Sequence, residues 1–221
     1  MKLRRIAGRA AFFLLAAWTA QAGPMTIYSA RSGSKMRMEG TSSMHDWQVE
    51  SKFIGGSLEV GQGFPTEPGQ SVTPGKVDAG GQVFVIVTSL KSLEKSGSPY
   101  SDAMDNVMNE HLKSDKYPRI TYHLDELVLK EAPKDKDAPY LFDSKGDLCV
   151  AGVTNTISMP VEVTVMPDKK LKITGTTGLK LSQFKIDPPG LAFAIKVGDD
   201  VKVIFTWILA PKPPAATAAE K

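Results

Sequence analysis

Apolar and polar residues alternate in Val161-Glu162-Val163-Thr164-Val165, as in a half-buried strand whose successive side chains point to opposite faces. The same period of two returns at 35–39, 47–53, 83–87, 120–124, 147–151 and 171–174. Near the end, Leu191, Phe193, Ile195 and Val197 share one face, and Val201, Val203, Phe205 and Trp207 share another. Gly198-Asp199-Asp200 between those two runs has the residues of a tight turn, so the pair is expected to form a hairpin. The pattern predicts an all-β domain, an antiparallel β-barrel of about eight strands.

One segment keeps a different period. Met104, Val107, Met108, His111 and Leu112 recur at three- and four-residue intervals, the spacing of one helical face. Ser98 or Ser101 is placed to cap its start, Asp105, Asn106, Asn109 and Glu110 are expected on the polar side, and Pro118 ends it. A single short amphipathic helix among strands is expected to close one end of the barrel. Residues 61–75, rich in Gly, Pro, Thr and Gln, and 131–139, rich in Lys, Asp and Pro, read as loops too short to separate two cores.

The first 22 residues have another character. Lys2, Arg4, Arg5 and Arg9 precede an uncharged Phe- and Leu-rich run, followed by Ala20-Gln21-Ala22, the three-part order of a cleavable signal peptide. The apolar run falls short of the roughly 20 residues that span a bilayer, so no stable membrane insertion is expected. Residues 1–22 are thus read as the signal peptide, 23–210 as one barrel domain and 211–221 as a disordered tail poor in large apolar residues. The expected location is the bacterial periplasm, or beyond the cell if secretion continues.

Removing 1–22 also changes the charge. Of 27 Lys and Arg, four lie there with no Asp or Glu, leaving 23 against 24, a formal −1. The basicity of the full chain belongs to the leader and does not point to nucleic acid as a partner. With Cys149 as the single cysteine, no internal disulfide can form.

Candidate chemistry is sparse. His45, His111 and His123 lack the spacing of a helical zinc site, and Cys149 has no CxxC companion, so no metal is expected. Ser42 and Ser43 precede His45 and Asp46, but side chains adjacent on a strand diverge, and the Gly-x-Ser-x-Gly elbow is absent. No glycine-rich fingerprint seats a nucleotide, and no cofactor is expected. What remains is a set of large apolar residues on barrel-type strands and on the helix. A barrel of about eight strands either fills with side chains or holds one small ligand.

Four stretches carry a family resemblance. Gly40-Thr41-Ser42-Ser43-Met44-His45-Asp46-Trp47 resembles the early motif of YceI-like proteins, and Asn109 through Tyr122 is similar to their helix end, Tyr-Pro turn and following strand. Gly146-Asp147-Leu148-Cys149-Val150-Ala151-Gly152-Val153-Thr154 resembles their Gly-x-Leu-x-x-x-Gly-Val-Thr strand, and Phe184-Lys185-Ile186 with the terminal hairpin completes the coverage. Ala151 stands where many relatives have His, Asn155-Thr156 replaces a frequent Lys-Pro, and the 61–75 loop is longer.

The resemblance implies a lipocalin-like barrel with a helix near one end and, as partner, a polyisoprenoid or related apolar lipid held inside. His45, Asp46, Trp47 and Tyr122 are the resembling positions expected to bind. Phe84, Met104, Met108, Phe184 and Phe193 are expected to form the wall. The reading is a non-enzymatic lipid binder without catalytic residues, with a homodimer left open. A ligand-free structural or stress-response module and a lipid-modifying enzyme using His45 are the alternatives.

Overall fold

A computed structural model describes residues 25–136, 138–188, 190–191 and 195–212. The expected signal peptide, nearly all of the expected tail, and Phe193 therefore lie outside the described residues. Within them the chain runs β1 (Thr26–Ala30), β2 (Lys35–Ser42), β3 (Trp47–Ser51), β4 (Gly55–Val60), β5 (Gly75–Val77), β6 (Ala79–Ile86), β7 (Lys91–Leu93), α1 (Asp102–His111), β8 (Arg119–Glu131), β9 (Tyr140–Val150), β10 (Val153–Val165), β11 (Leu171–Lys180), β12 (Gly190–Leu191) and β13 (Ile195–Pro211).

Eight of these strands close a ring of antiparallel neighbours in the order β1-β4-β6-β8-β9-β10-β11-β13, with β13 returning to β1. Closure removes the free edges that an open sheet would expose. The other strands extend the same staves. β2 continues β1 along one flank of β13, with Ala30 opposite Leu209 and Lys35 opposite Thr206. β3 pairs with β2 where β4 pairs with β1, and β7 pairs with β3 where β6 pairs with β4.

Each joint between these half-staves is tied by a serine. At 31–34 the Ser34 hydroxyl donates to the Arg31 carbonyl (2.8 Å) and accepts from the Ile208 N–H (3.0 Å). The fully buried Ser51 hydroxyl donates to the Phe53 carbonyl (2.9 Å) and meets the Ser89 hydroxyl (2.7 Å), joining the β3–β4 break to the 3₁₀ turn Val87–Ser89 that separates β6 from β7. These bonds satisfy backbone groups that the broken ladders leave without partners.

The bends position the helix. The β6–β8 ladder ends at Ile86 opposite Arg119, and beyond it β7 follows β3 while the chain entering β8 is α1 and its exit. The polar face expected for α1 needs one correction, because Asp105 is the buried residue of the helix, 5% exposed. Its carboxylate accepts the Ser92 N–H (2.7 Å) and pairs with Lys91 (3.0 Å), pinning α1 to β7. Ser101 takes the N-cap position without a side-chain capping bond.

A second correction concerns Gly198-Asp199-Asp200. These residues lie inside β13 as an irregularity in its pairing with β2, between Val197 and Val201, and not in a hairpin turn. The hairpin lies earlier, with Gly190 opposite Lys196. A bulge reorients a side chain without ending the strand, and Asp199 uses it to accept from both the N–H and the hydroxyl of Ser182 (2.7 Å each).

One end of the barrel is solid. Tyr28, Val60, Leu129, Tyr140, Phe142, Leu171 and Leu209 are each at most 2% exposed. The long loop after β4 folds beneath them. Phe64 stacks on Phe142 with centroids 5.7 Å apart, and the Tyr140 hydroxyl donates to the Gln70 carbonyl (2.8 Å). The loop expected at 61–75 is thus the floor of the barrel.

Candidate functional site

Above that floor the barrel is hollow. A cavity of about 740 Å³ opens at the end that carries α1 and the β2–β3 turn, within the range of about 300–1,000 Å³ usual for small-molecule sites. Its wall is built from inward positions of the strands: Met36 and Met38 of β2, Val49 of β3, Leu124 and Leu127 of β8, Leu148 of β9, Ile157 and Met159 of β10, and Val203 and Phe205 of β13. Charged side chains on the boundary, such as Asp46, Glu94, Lys95 and Lys180, come from turns, strand ends and the segment after β7.

Two rings explain part of the open space. Trp47 faces Gly40 across the β2–β3 ladder, and Phe205 faces Gly175 across β11–β13. A Cβ at either glycine would fall within the partner's ring. Each ring therefore lies along the wall, over a bare stretch of backbone, and leaves the centre free. The Trp47 indole N–H is satisfied by the Thr41 carbonyl (3.1 Å).

The wall is not hydrogen-bonded all the way round. The β10–β11 ladder runs from Val161 opposite Gly175 to Val165 opposite Leu171, although β10 begins at Val153 and β11 continues to Lys180. The 3₁₀ turn Leu181–Phe184 covers this seam, held by the Ser182–Asp199 bonds and by Asn155, whose amide donates to the Gln183 carbonyl (2.8 Å). Leu181, Phe184 and Ile186 line the cavity from it.

The residues singled out from the sequence fall in three groups. His45, Asp46 and Trp47 lie at the mouth, where the Ser42 hydroxyl donates to the His45 carbonyl (2.6 Å) and knits the β2–β3 turn. Met104 and Met108 face the cavity from α1, and Tyr122 and Phe184 face it from β8 and from the seam. Phe84 touches the boundary from β6 with its ring turned away. Its neighbours Val83 and Val85 pair with the inward Tyr122 and Ile120, so alternation sends Phe84 outward. There it packs over Gly55, against Phe53 (6.0 Å) and beneath the Arg119 guanidinium (4.5 Å).

Sequence reasoning missed several positions. Met36, Met38, Ile157 and Met159 share the period-two faces of strands already recognised, so the alternation itself would have found them. Tyr100, 48% exposed and packed edge-on against His45 (6.0 Å), lies outside any periodic run and left no signal. Ser144 is an inward serine on β9, 3% exposed, whose meaning depends on its cross-strand neighbours.

The acid–base arrangement around His45 is weak. Its Nδ1 faces the Asp46 backbone carbonyl (2.8 Å), and among the described residues it forms no ion pair with a carboxylate. Also among the described residues, no group of three or more His, Cys, Asp or Glu is placed to hold a metal, and no helix is long and apolar enough to cross a membrane.

A closed eight-strand barrel with a solid floor, an apolar lumen and a helix at its mouth defines the class as a hollow antiparallel β-barrel. Residues 28–208 match the model of the YceI-like domain, and the chain belongs to that family. Its fold is similar to that of Burkholderia cenocepacia BcnA, at 15% identity and a TM-score of 0.58 over 80% of this chain and 96% of that one. It is also similar to a polyisoprenoid binding domain from Saccharophagus degradans implicated in plant cell wall breakdown, at 12% identity and a TM-score of 0.57 over 84% and 98%. At these identities the likeness shows the fold alone. No curated protein sequence matches the chain.

Proposed function

We propose that this chain is an exported, non-enzymatic binding protein that holds one long apolar lipid, a polyisoprenoid or a chain of similar character, inside its barrel. The observation that carries the reading is the cavity of about 740 Å³ walled by aliphatic and thioether side chains. Every 100 Å² of chain surface withdrawn from water there contributes about 2.5 kcal/mol. Met36, Met38, Met104, Met108 and Met159 supply flexible side chains that adapt to a bent chain. His45, Asp46 and Trp47 meet the part of the ligand that stays at the mouth. The name of the Saccharophagus degradans domain agrees with this class of ligand. His45, paired with a backbone carbonyl, gives the enzymatic alternative no support.

Export rests on the order of Lys2, Arg4, Arg5, Arg9, the apolar run and Ala20-Gln21-Ala22. The periplasm is the proposed location, with cleavage after Ala22. The test of binding is titration of the delipidated protein with a long-chain polyprenol, followed by the fluorescence of Trp47 and Trp207, both of which line the cavity. A saturable change at one ligand per chain is expected. A flat response to polyprenols, quinones and fatty acids alike would overturn the reading. The intact mass of the exported product tests cleavage.

A further inference from the structure

Among the strand residues that face the cavity, Tyr122 and Ser144 form a polar pair in an otherwise apolar stretch of wall. Tyr122 on β8 pairs with Leu148, Ser144 on β9 pairs with Leu127 and with Met159 of β10, and all five line the lumen. The two hydroxyls lie 3.1 Å apart.

This meeting is built into the wall. Tyr122 and Ser144 are not directly opposite each other, and the tyrosine reaches the serine by laying its ring over Gly146. A Cβ at Gly146 would collide first with the His123 backbone carbonyl oxygen and would also stand 2.8 Å from both Cζ and the hydroxyl oxygen of Tyr122. The bare backbone thus accommodates the β8–β9 pairing and the tyrosine ring together.

Hydrogen-bond accounting then leaves one donor over. Two hydroxyls carry two protons, and their mutual bond uses one. Among the described residues neither hydroxyl has another partner. Burial is the main cause that holds the Tyr122 phenol above its ordinary pKa, and the Asp125 and Asp147 charges act in the same direction against the Ser144 hydrogen bond, so it remains a neutral donor at physiological pH. A pure hydrocarbon packed on this spot would leave the spare O–H dry and unpaired, which disfavours it against a ligand that brings an acceptor. A lone water would have only these two groups, the lower limit for an ordered buried water.

Resting on the lipid-binding reading, we propose that the Tyr122–Ser144 pair is an oxygen-recognition subsite. The preferred ligand is a long apolar chain with a neutral acceptor, a ketone, quinone or ester carbonyl, whose oxygen seats against this pair inside the barrel. A carboxylate is disfavoured at the subsite because the residues paired around it, Leu124, Leu127, Leu148 and Met159, carry no charge to compensate a desolvated anion.

The test uses a long-chain alkane and the methyl ketone of equal chain length, each competing with the uncharged dye Nile red for the delipidated full-length mature protein. A preference of about tenfold for the ketone is expected, as one additional neutral hydrogen bond provides. The ratio should fall below about twofold only in the double variant Tyr122→Phe/Ser144→Ala, since either hydroxyl alone still offers one donor, with thermal unfolding showing that the variant is folded. Equal affinity for both ligands in the unaltered protein, or a preference that survives both substitutions, would overturn the subsite while leaving the carrier reading intact. If neither ligand displaces the dye, the carrier reading itself fails.

Discussion

The ring of Trp47 lies across the backbone of Gly40, its direct partner in the β2–β3 ladder, at the place where any Cβ would have to stand. The pair keeps a large aromatic residue flat against the wall at the mouth. Gly40→Ala is therefore expected to destabilise the fold by about 1–3 kcal/mol through overpacking and to weaken ligand binding by pushing the indole into the opening. Denaturant unfolding and dye displacement check the two effects. A silent substitution would show that the ring has free room elsewhere.

Filling the lumen should separate stability from binding. Met38 faces the cavity between Val49 and Val203, its cross-strand partners on either side. Met38→Trp adds apolar volume to empty space, so binding of a long chain should fall at least about tenfold while the melting temperature holds or rises. Phe64→Ala is the converse. It removes a 3% exposed ring from the floor stack with Phe142, outside the cavity lining, and should cost about 3–5 kcal/mol with little change in affinity measured below the melting temperature.

Asp105 ties the mouth helix to the barrel in a pH-dependent way. Burial alone would raise its carboxyl pKa, but hydrogen bonds from Ser92 and the Lys91 charge outweigh that and hold it below the ordinary value. The folded-state pKa is thus depressed. The anchor is at full strength above the unfolded value of about 3.9 and is lost as pH falls through the lower folded value. Asp105→Asn should flatten that acid dependence of stability and speed amide exchange in α1 at neutral pH. An unchanged acid profile would contradict the anchoring role.

The Ser182–Asp199 bonds make a parallel prediction for the seam. Asp199→Ala removes the acceptor of both Ser182 bonds, so amide exchange of Leu181–Phe184 should accelerate while the β8–β9 ladder keeps its protection. Equal exchange in both proteins would mean that Leu181, Phe184 and Ile186 hold the segment by packing alone.

Much of the barrel was legible in the sequence because one face of each long strand is inside and the other outside, which writes a period of two into β8, β9, β10 and β13. The short pieces were not. β4 opens with Gly55 and Gly56, which carry no side chain to mark a face, and β7 has only Lys91–Leu93. Gly198-Asp199-Asp200 has turn residues and sits in a bulge, because a bulge uses the same backbone freedom. Phe84 borders the cavity from β6, but its parity with Thr121 turns its ring to the outer face. Asp105 was expected on the polar face of the helix, and the approach of Ser92 and Lys91 explains its burial. At the site, the mouth residues and the helix methionines were within reach. The Tyr122–Ser144 meeting was not, since it depends on the β8–β9 register and on the bare Gly146.

Whether the hollow barrel carries a lipid is decided by native mass spectrometry of the protein purified from its own host, followed by organic extraction. A stoichiometric apolar adduct that extraction removes and that Met38→Trp lacks is expected. An unladen protein that also takes up no polyprenol, quinone or fatty acid on titration would contradict it.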